Sequence, residues 1–314
     1  MRIAVLRSRQ AFEIEDVPAP SIRPDEVLVE VIVSGVCASE LEPWLDGPEA
    51  PRHLGHEVSG IVADIGADVT NLSVGDRVGV WVTERGFAEY VAVRAAYCFP
   101  TGDGPLNEAL AEPLACAVNA VELADPRLGD DVLVIGAGFM GNLVQRLTAL
   151  RGPRRLIVAD TRADALERAL RAGATDVIDV TKGSLPQAVS ALTDGRGVDL
   201  TFECTGTQPA LATCGDTTRM SGKIAIVGFH QGQAREIPLA SWNWMAFTIL
   251  NAHFRDVDTI MRGMEVGMRL VSSGVLPMSG LVSHRFPLEQ INEAFATLRD
   301  KPDGFVKAVI SRSR

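Results

Sequence analysis

The chain has no apolar run close to the roughly 20 residues that a membrane-spanning helix needs. It also has no internal repeat, low-complexity stretch or long run of like charge. These absences argue against a helical membrane protein, a repeat array and a disordered charged tail. Cysteine is sparse: Cys37, Cys98, Cys116, Cys204 and Cys214 include no C-x-x-C pair, and with no export signal a disulfide framework is not expected. Residues 1–7 are too short in their apolar part for a signal peptide and read as a first strand. The expected compartment is therefore the cytoplasm, whose reducing conditions suit a free thiolate. Positive charge is also short. With 30 Lys+Arg against 40 Asp+Glu the net charge is −10, which argues against nucleic acid or an anionic membrane as a partner. Only Lys182, Lys223, Lys301 and Lys307 are lysines, an arginine preference that reads as genomic base composition rather than function.

What is present is length and period. A chain of 314 residues can build two domains with separate cores. The first third reads as β. Val27, Val29, Val31 and Val33 alternate with Leu28, Glu30, Ile32 and Ser34, and short apolar runs over 58–82 are broken by Gly66, Asn71 and Gly75-Asp76. That pattern predicts a small, bent, barrel-like β domain. Near Ala109 the period becomes helical, through Leu110, Leu114, Ala117, Val118 and Val121. From Asp131 strands and helices alternate, with strands expected at 132–135, 156–160, 176–178, 199–203, 223–227 and 248–252, which predicts a doubly wound parallel sheet.

The first of those strands runs into Gly136-Ala137-Gly138-Phe139-Met140-Gly141, and the second ends in Asp160. A lone G-x-G-x-x-G is a weak signal, but here it follows a strand, opens a helix and precedes a carboxylate. Gly136 permits the tight turn, Gly138 lets backbone approach a pyrophosphate, and Gly141 lets helix pack on strand. Asp160 is placed to take the adenosine ribose hydroxyls. A carboxylate there repels a 2′-phosphate, so NAD is expected over NADP; Arg162, two residues on, softens that preference.

Ahead of the loop stand potential metal donors: the Cys37 thiolate, the His56 imidazole, and the carboxylates of Glu57 and Glu112. Singly each is ordinary. A cysteine after a valine-rich strand is usually a small core residue, and Glu112 suits a helix N-terminus. Together, Cys37, Gly55-His56-Glu57 with Gly60, Gly66 and Val69 behind it, and Glu112-Pro113-Leu114 resemble the zinc-containing medium-chain alcohol and polyol dehydrogenases. The resemblance is to the sorbitol and threonine dehydrogenase branch and runs from about Pro18 to the C-terminus.

The resemblance implies a GroES-like β-barrel catalytic domain over 1–117 and 277–314 and a Rossmann NAD-binding domain over 118–276, with the active site in the cleft between them. It implies one catalytic zinc on Cys37, His56 and Glu112, with Glu57 exchanging between direct and indirect contact; Cys116 remains a competing ligand. The four-cysteine lobe that binds a structural zinc in relatives is missing, so one zinc per chain is expected. Ser39 stands at the proton-relay hydroxyl. Glu40 replaces the usual aspartate that orients the zinc histidine, and Glu42 replaces a proton-exporting histidine. Cys204 and Thr205 flank the cofactor, Val227-Gly228 lies near the nicotinamide, and Lys307 is a cation near the pyrophosphate. Glu42 and Trp44, with Asn251 and His253, form a polar substrate surface suited to a polyol, cyclitol or sugar. The implied reaction is hydride transfer between a secondary alcohol and NAD by a homodimer or homotetramer. A zinc-free quinone or alkene reductase on the same scaffold, and a non-catalytic dinucleotide-binding protein, are the competing readings.

Overall fold

A computed structural model describes residues 1–102 and 104–312. Its strands and helices follow the chain as β1 (Arg2–Ser8), β2 (Ala11–Asp16), β3 (Glu26–Gly35), α1 (Leu41–Asp46), β4 (Glu57–Ile65), β5 (Arg77–Trp81), β6 (Tyr90–Arg94), β7 (Cys98–Pro100) and α2 (Ala111–Ala124). Then come β8 (Asp131–Ile135), α3 (Phe139–Ala149), β9 (Arg155–Asp160), α4 (Ala163–Arg171), β10 (Asp176–Asp179), α5 (Leu185–Leu192), β11 (Val198–Glu203), α6 (Gln208–Thr217) and β12 (Thr218–Ile226). The chain closes with α7 (Leu239–Trp244), β13 (Thr248–Asn251), α8 (Val257–Ser272), β14 (His284–Phe286), α9 (Ile291–Asp300) and β15 (Ala308–Ser311). Among the described residues no helix is long and apolar enough to cross a membrane.

Two compact units form: Met1–Ala115 with Ile260–Arg314, and Cys116–Thr259. The first unit is discontinuous, and the chain re-enters it at Ile260. The reason lies in α8: a Cβ placed on Gly79 of β5 would come within 3.5 Å of the Met268 sulfur, so the later turns of this helix pack on the β unit.

In the first unit a β-sheet runs in the order β14-β15-β3-β4-β5-β7, with β6 also on β3, and β1 pairs with β2. The alternating valines of β3 explain the packing. Val27, Val29 and Val31 join Val58, Val62, Val78 and Val80 in one buried cluster, each contributing about 1.5–3 kcal/mol by burial. A second cluster gathers Phe12, Phe87 and Phe295 with Trp44. Trp44 is 2% exposed and its indole N–H meets Asn292 Oδ1 at 3.3 Å, so it belongs to this core and not to a polar substrate surface.

In the second unit six strands lie in the order β10-β9-β8-β11-β12-β13, every pairing parallel. The order reverses beside β8, and ligands in such sheets bind at the carboxyl ends of the strands around that switch. The opposite ends are tied by charge. Buried Asp131 pairs with Arg154 (2.5 Å) and Arg196 (3.1 Å), and Asp199 pairs with Arg196 (2.7 Å) and Arg219 (2.6 Å). Burial pushes the Asp199 carboxyl up, but Arg196 and Arg219 overcome it and hold it well below the usual range. A depressed carboxylate adds stability above its unfolded pKa and loses it as pH falls. Asp199→Asn should therefore lower the thermal midpoint at neutral pH, with the deficit shrinking as pH falls below about 4; an equal deficit at every pH would mean that charge plays no part.

Candidate metal centre and dinucleotide site

Adjacent antiparallel strands place the metal donors. β3 ends at Gly35 opposite Glu57, the first residue of β4. Cys37 follows the end of one strand and His56 precedes the start of the other. One donor atom each from Cys37, His56 and Glu57 lies within 4.8 Å of the others. A cysteine sulfur, an imidazole nitrogen and a carboxylate oxygen converging in this way are a zinc-type donor set. His56 Nδ1 donates to Glu40 Oε1 at 3.0 Å, and the same oxygen accepts the Gly55 N–H at 2.6 Å. With Nδ1 committed to a carboxylate, Nε2 is the nitrogen left for a metal. The extra methylene of Glu40, relative to aspartate, leaves this orienting contact intact. Burial opposes charge on His56, but hydrogen bonds to Cys37 and Glu40 outweigh it and raise the imidazole to about 12. A metal must displace that proton, so loading is opposed by acid.

Glu57 is 1% exposed and holds Lys307 Nζ at 2.7 Å and 2.6 Å through its two oxygens. A Cβ on Gly35 would lie 1.9 Å from Glu57 Oε2, so only glycine leaves room for this carboxylate. Lys307 is itself 5% exposed. Burial works against its charge, but Glu57, then Cys37 and Glu112, raise its pKa. Within its unit, Lys307 is therefore the counter-ion of the buried Glu57 carboxylate.

Glu112 opens α2, half-buried, with its charge felt at Lys307, but it stands outside the three-residue group. The structure thus gathers Cys37, His56 and Glu57, whereas the resemblance put Glu112 third and Glu57 alternating. Ser39 Oγ donates to Cys37 Sγ at 3.2 Å, and Glu42 lies half-buried on α1. Cys116 is exposed.

In the second unit the glycine loop has its expected form. Gly136 has φ +100, and a Cβ there would meet Thr205 Cγ2 at 2.6 Å. A Cβ on Gly141 would lie 1.7 Å from Gly136 O, so the helix can approach the strand only with glycine here. A Cβ on Gly138, at the N-cap of α3, would meet nothing within 4 Å. The steric demand of Gly136 and Gly141 is met inside the protein, whereas Gly138 borders open space that a pyrophosphate could take. Phe139 and Met140 form the first turn of α3, at the positive end of its dipole.

Asp160 Oδ2 accepts the Ala137 N–H at 2.6 Å, while Oδ1 accepts the Arg162 N–H at 2.9 Å and lies 3.6 Å from Arg162 Nε. It braces the glycine loop, a task the sequence pattern does not disclose. Burial pushes the Cys204 thiol well up. The N–H groups of Val227 and Gly228 both donate to Glu203 O at 2.8 Å, fixing the turn after β12. Asn251 ends β13, and His253 lies 3.3 Å from Gly228 O and 5.6 Å from the Phe229 ring.

A GroES-like β unit carrying a cysteine–histidine–carboxylate group, in one chain with a six-stranded parallel sheet and its glycine loop, points to an oxidoreductase of the alcohol dehydrogenase type. Comparison with known proteins agrees. Residues 23–103 match the family described as Alcohol dehydrogenase GroES-like domain, and residues 140–268 match Zinc-binding dehydrogenase. Sorbitol dehydrogenase of Gallus gallus is 30% identical over 92% of this chain and 90% of its own length. Sorbitol dehydrogenase of Bacillus subtilis (strain 168) is 29% identical over 94% and 92%. The structure of 2R,3R-butanediol dehydrogenase from Bacillus subtilis superposes with a TM-score of 0.86 at 25% identity, covering 99% of both chains. The chain belongs to the zinc-containing medium-chain dehydrogenase/reductase superfamily.

Proposed function

We propose that this chain is a zinc- and NAD-dependent dehydrogenase of a secondary alcohol of polyol, cyclitol or sugar type. The observation that carries this reading is the convergence of Cys37, His56 and Glu57, with His56 oriented by Glu40, in a chain that also bears an intact glycine loop. Sorbitol and butanediol, named in similar proteins, share a vicinal diol, and this supports the substrate class.

Cys37 and His56 would hold a zinc ion, with Glu57 and Glu112 as the carboxylates within its pocket. A metal there supplies a Lewis acid that lowers the pKa of an alcohol hydroxyl, and a nicotinamide supplies the hydride acceptor. The protein does the rest. Glu40 fixes the His56 tautomer, and Lys307 holds the Glu57 carboxylate and balances the pocket's negative charge. Ser39 lies at the thiolate with a hydroxyl able to carry the substrate proton outward, toward Glu42. Asp160 favours NAD, because a 2′-phosphate would meet its carboxylate, although the neighbouring Arg162 tempers the repulsion. We place one zinc in each chain, the protein in the cytoplasm, and the chains as homodimers or homotetramers.

Protein purified without added metal should contain about one zinc per chain and reduce NAD with a panel of vicinal diols, faster than it reduces NADP. Folded protein that binds NADH yet contains no zinc and oxidises no alcohol would overturn this reading.

A further inference from the structure

The carboxyl edge of the second unit holds a buried polar network that binding of a metal or the glycine loop does not require. Glu203, fully buried at the end of β11, accepts the Thr205 N–H at 2.7 Å, the Gly206 N–H at 3.0 Å and the Thr205 hydroxyl at 2.5 Å. Its other oxygen faces His230 Nε2 at 2.9 Å. Arg235 Nε then donates to His230 Nδ1 at 3.2 Å. Arginine can only donate and an ionised carboxylate can only accept, so His230 is the neutral tautomer with its proton on Nε2. Arg235 is held in turn by the carbonyls of Gln231 (2.8 Å) and Gln233 (2.7 Å), and reaches Gly206 O at 3.5 Å.

This chain of contacts clamps two loops together. A Cβ on Gly228 would lie 2.2 Å from Gly206 N, and one on Gly206 would lie 2.6 Å from Phe229 O, so the backbones already touch. Apolar packing would join two loops at less cost than a buried carboxylate, which must have its acceptors filled. The clamp lies at the carboxyl ends of β11 and β12, on the ligand-binding edge of such a sheet.

We infer that Glu203, His230 and Arg235 form a positioning relay that sets the two loops for the nicotinamide half of the cofactor, with His230 as its central positioning residue. The inference rests on the dinucleotide reading above. His230 touches no reacting atom; it acts through the shape of 204–206 and 228–230.

The test compares two probes on the full zinc-loaded chain: NADH, and ADP-ribose, which lacks the nicotinamide ring. His230→Leu removes both contacts of the ring, whereas His230→Gln keeps a donor and an acceptor. His230→Leu should weaken NADH binding about tenfold or more, leave ADP-ribose within about twofold, and retain its zinc. His230→Gln should recover most of the loss. If His230→Leu fails to fold, Arg235→Gln makes the same comparison from the other end of the relay. Equal weakening of both probes would reduce the network to a structural brace, and no change in either would also overturn the relay. A wild-type chain that binds ADP-ribose and NADH shows that the dinucleotide reading stands whichever way the variants fall. A wild-type chain that binds neither would sink that reading, and the relay with it.

Discussion

Cys37→Ala or His56→Ala should reduce alcohol turnover about 10³-fold or more while NADH binding stays within a factor of two or so of wild type. The estimate follows from the several kilocalories per mole that a Lewis-acidic metal supplies to a developing alkoxide charge, at about 1.4 kcal/mol per tenfold in rate. The split between turnover and binding is the informative part. The donors lie in the unit formed by Met1–Ala115 and Ile260–Arg314, whereas the glycine loop lies in Cys116–Thr259. Damage to the metal pocket should therefore spare the dinucleotide. Glu40→Gln should be milder, since an amide oxygen can still accept from His56 Nδ1 and from the Gly55 N–H that now share Glu40 Oε1. It should lower zinc affinity by less than the roughly 10–100-fold that losing such an orienting partner costs. Full turnover by zinc-depleted His56→Ala protein would rule out metal-assisted chemistry at this pocket.

The sequence makes the dinucleotide fold legible because its signals are local and redundant. Each strand of the parallel sheet is a short apolar run, the glycine loop stands between a strand and a helix, and all six expected strands occur. β12 begins earlier than its apolar run because Thr218 pairs with Val198 across an irregularity in the register. The C-terminal segments were harder to bound. Within the apolar segments 281–286 and 305–310, the residues that pair are those of His284–Phe286 and Ala308–Ser311. Which residues of an apolar segment join a ladder depends on the neighbouring strand, which no local pattern reveals. The metal pocket was half legible. Cys37, His56 and Glu57 carry a recognisable motif, but the partner of Glu57 is 250 positions away. A lysine in Val306-Lys307-Ala308 between apolar residues is a cue in hindsight: a strand-edge residue in such a run turns inward as readily as outward. Trp44 misled in the opposite sense. Its neighbours Glu42 and Pro43 made it look like surface, yet it packs on the Phe295 ring, centroids 5.6 Å apart, in the cluster that includes Phe12 and Phe87.

Lys307→Ala should be the most destabilising single change outside the apolar core. Removing one partner of a buried ion pair leaves the other charge without compensation, at a cost of about 3–5 kcal/mol. Here the stranded group is Glu57, 1% exposed, and the lost ammonium also faced Cys37 and Glu112. Glu57 would then share the pocket with Cys37, Glu112 and Glu40, and His56 is already paired with Glu40. Glu57→Gln in the same protein should recover much of the deficit, because it removes the uncompensated charge while keeping the side chain's shape above Gly35. Metal sharpens the forecast, since a divalent cation would replace the missing positive charge. Zinc should therefore raise the melting temperature of Lys307→Ala by more than it raises that of wild type, and chelator should separate the two proteins further. A Lys307→Ala protein as stable as wild type in chelator would mean that the Glu57 carboxylate finds its compensation elsewhere, and that Lys307 is not the counter-ion of the metal pocket.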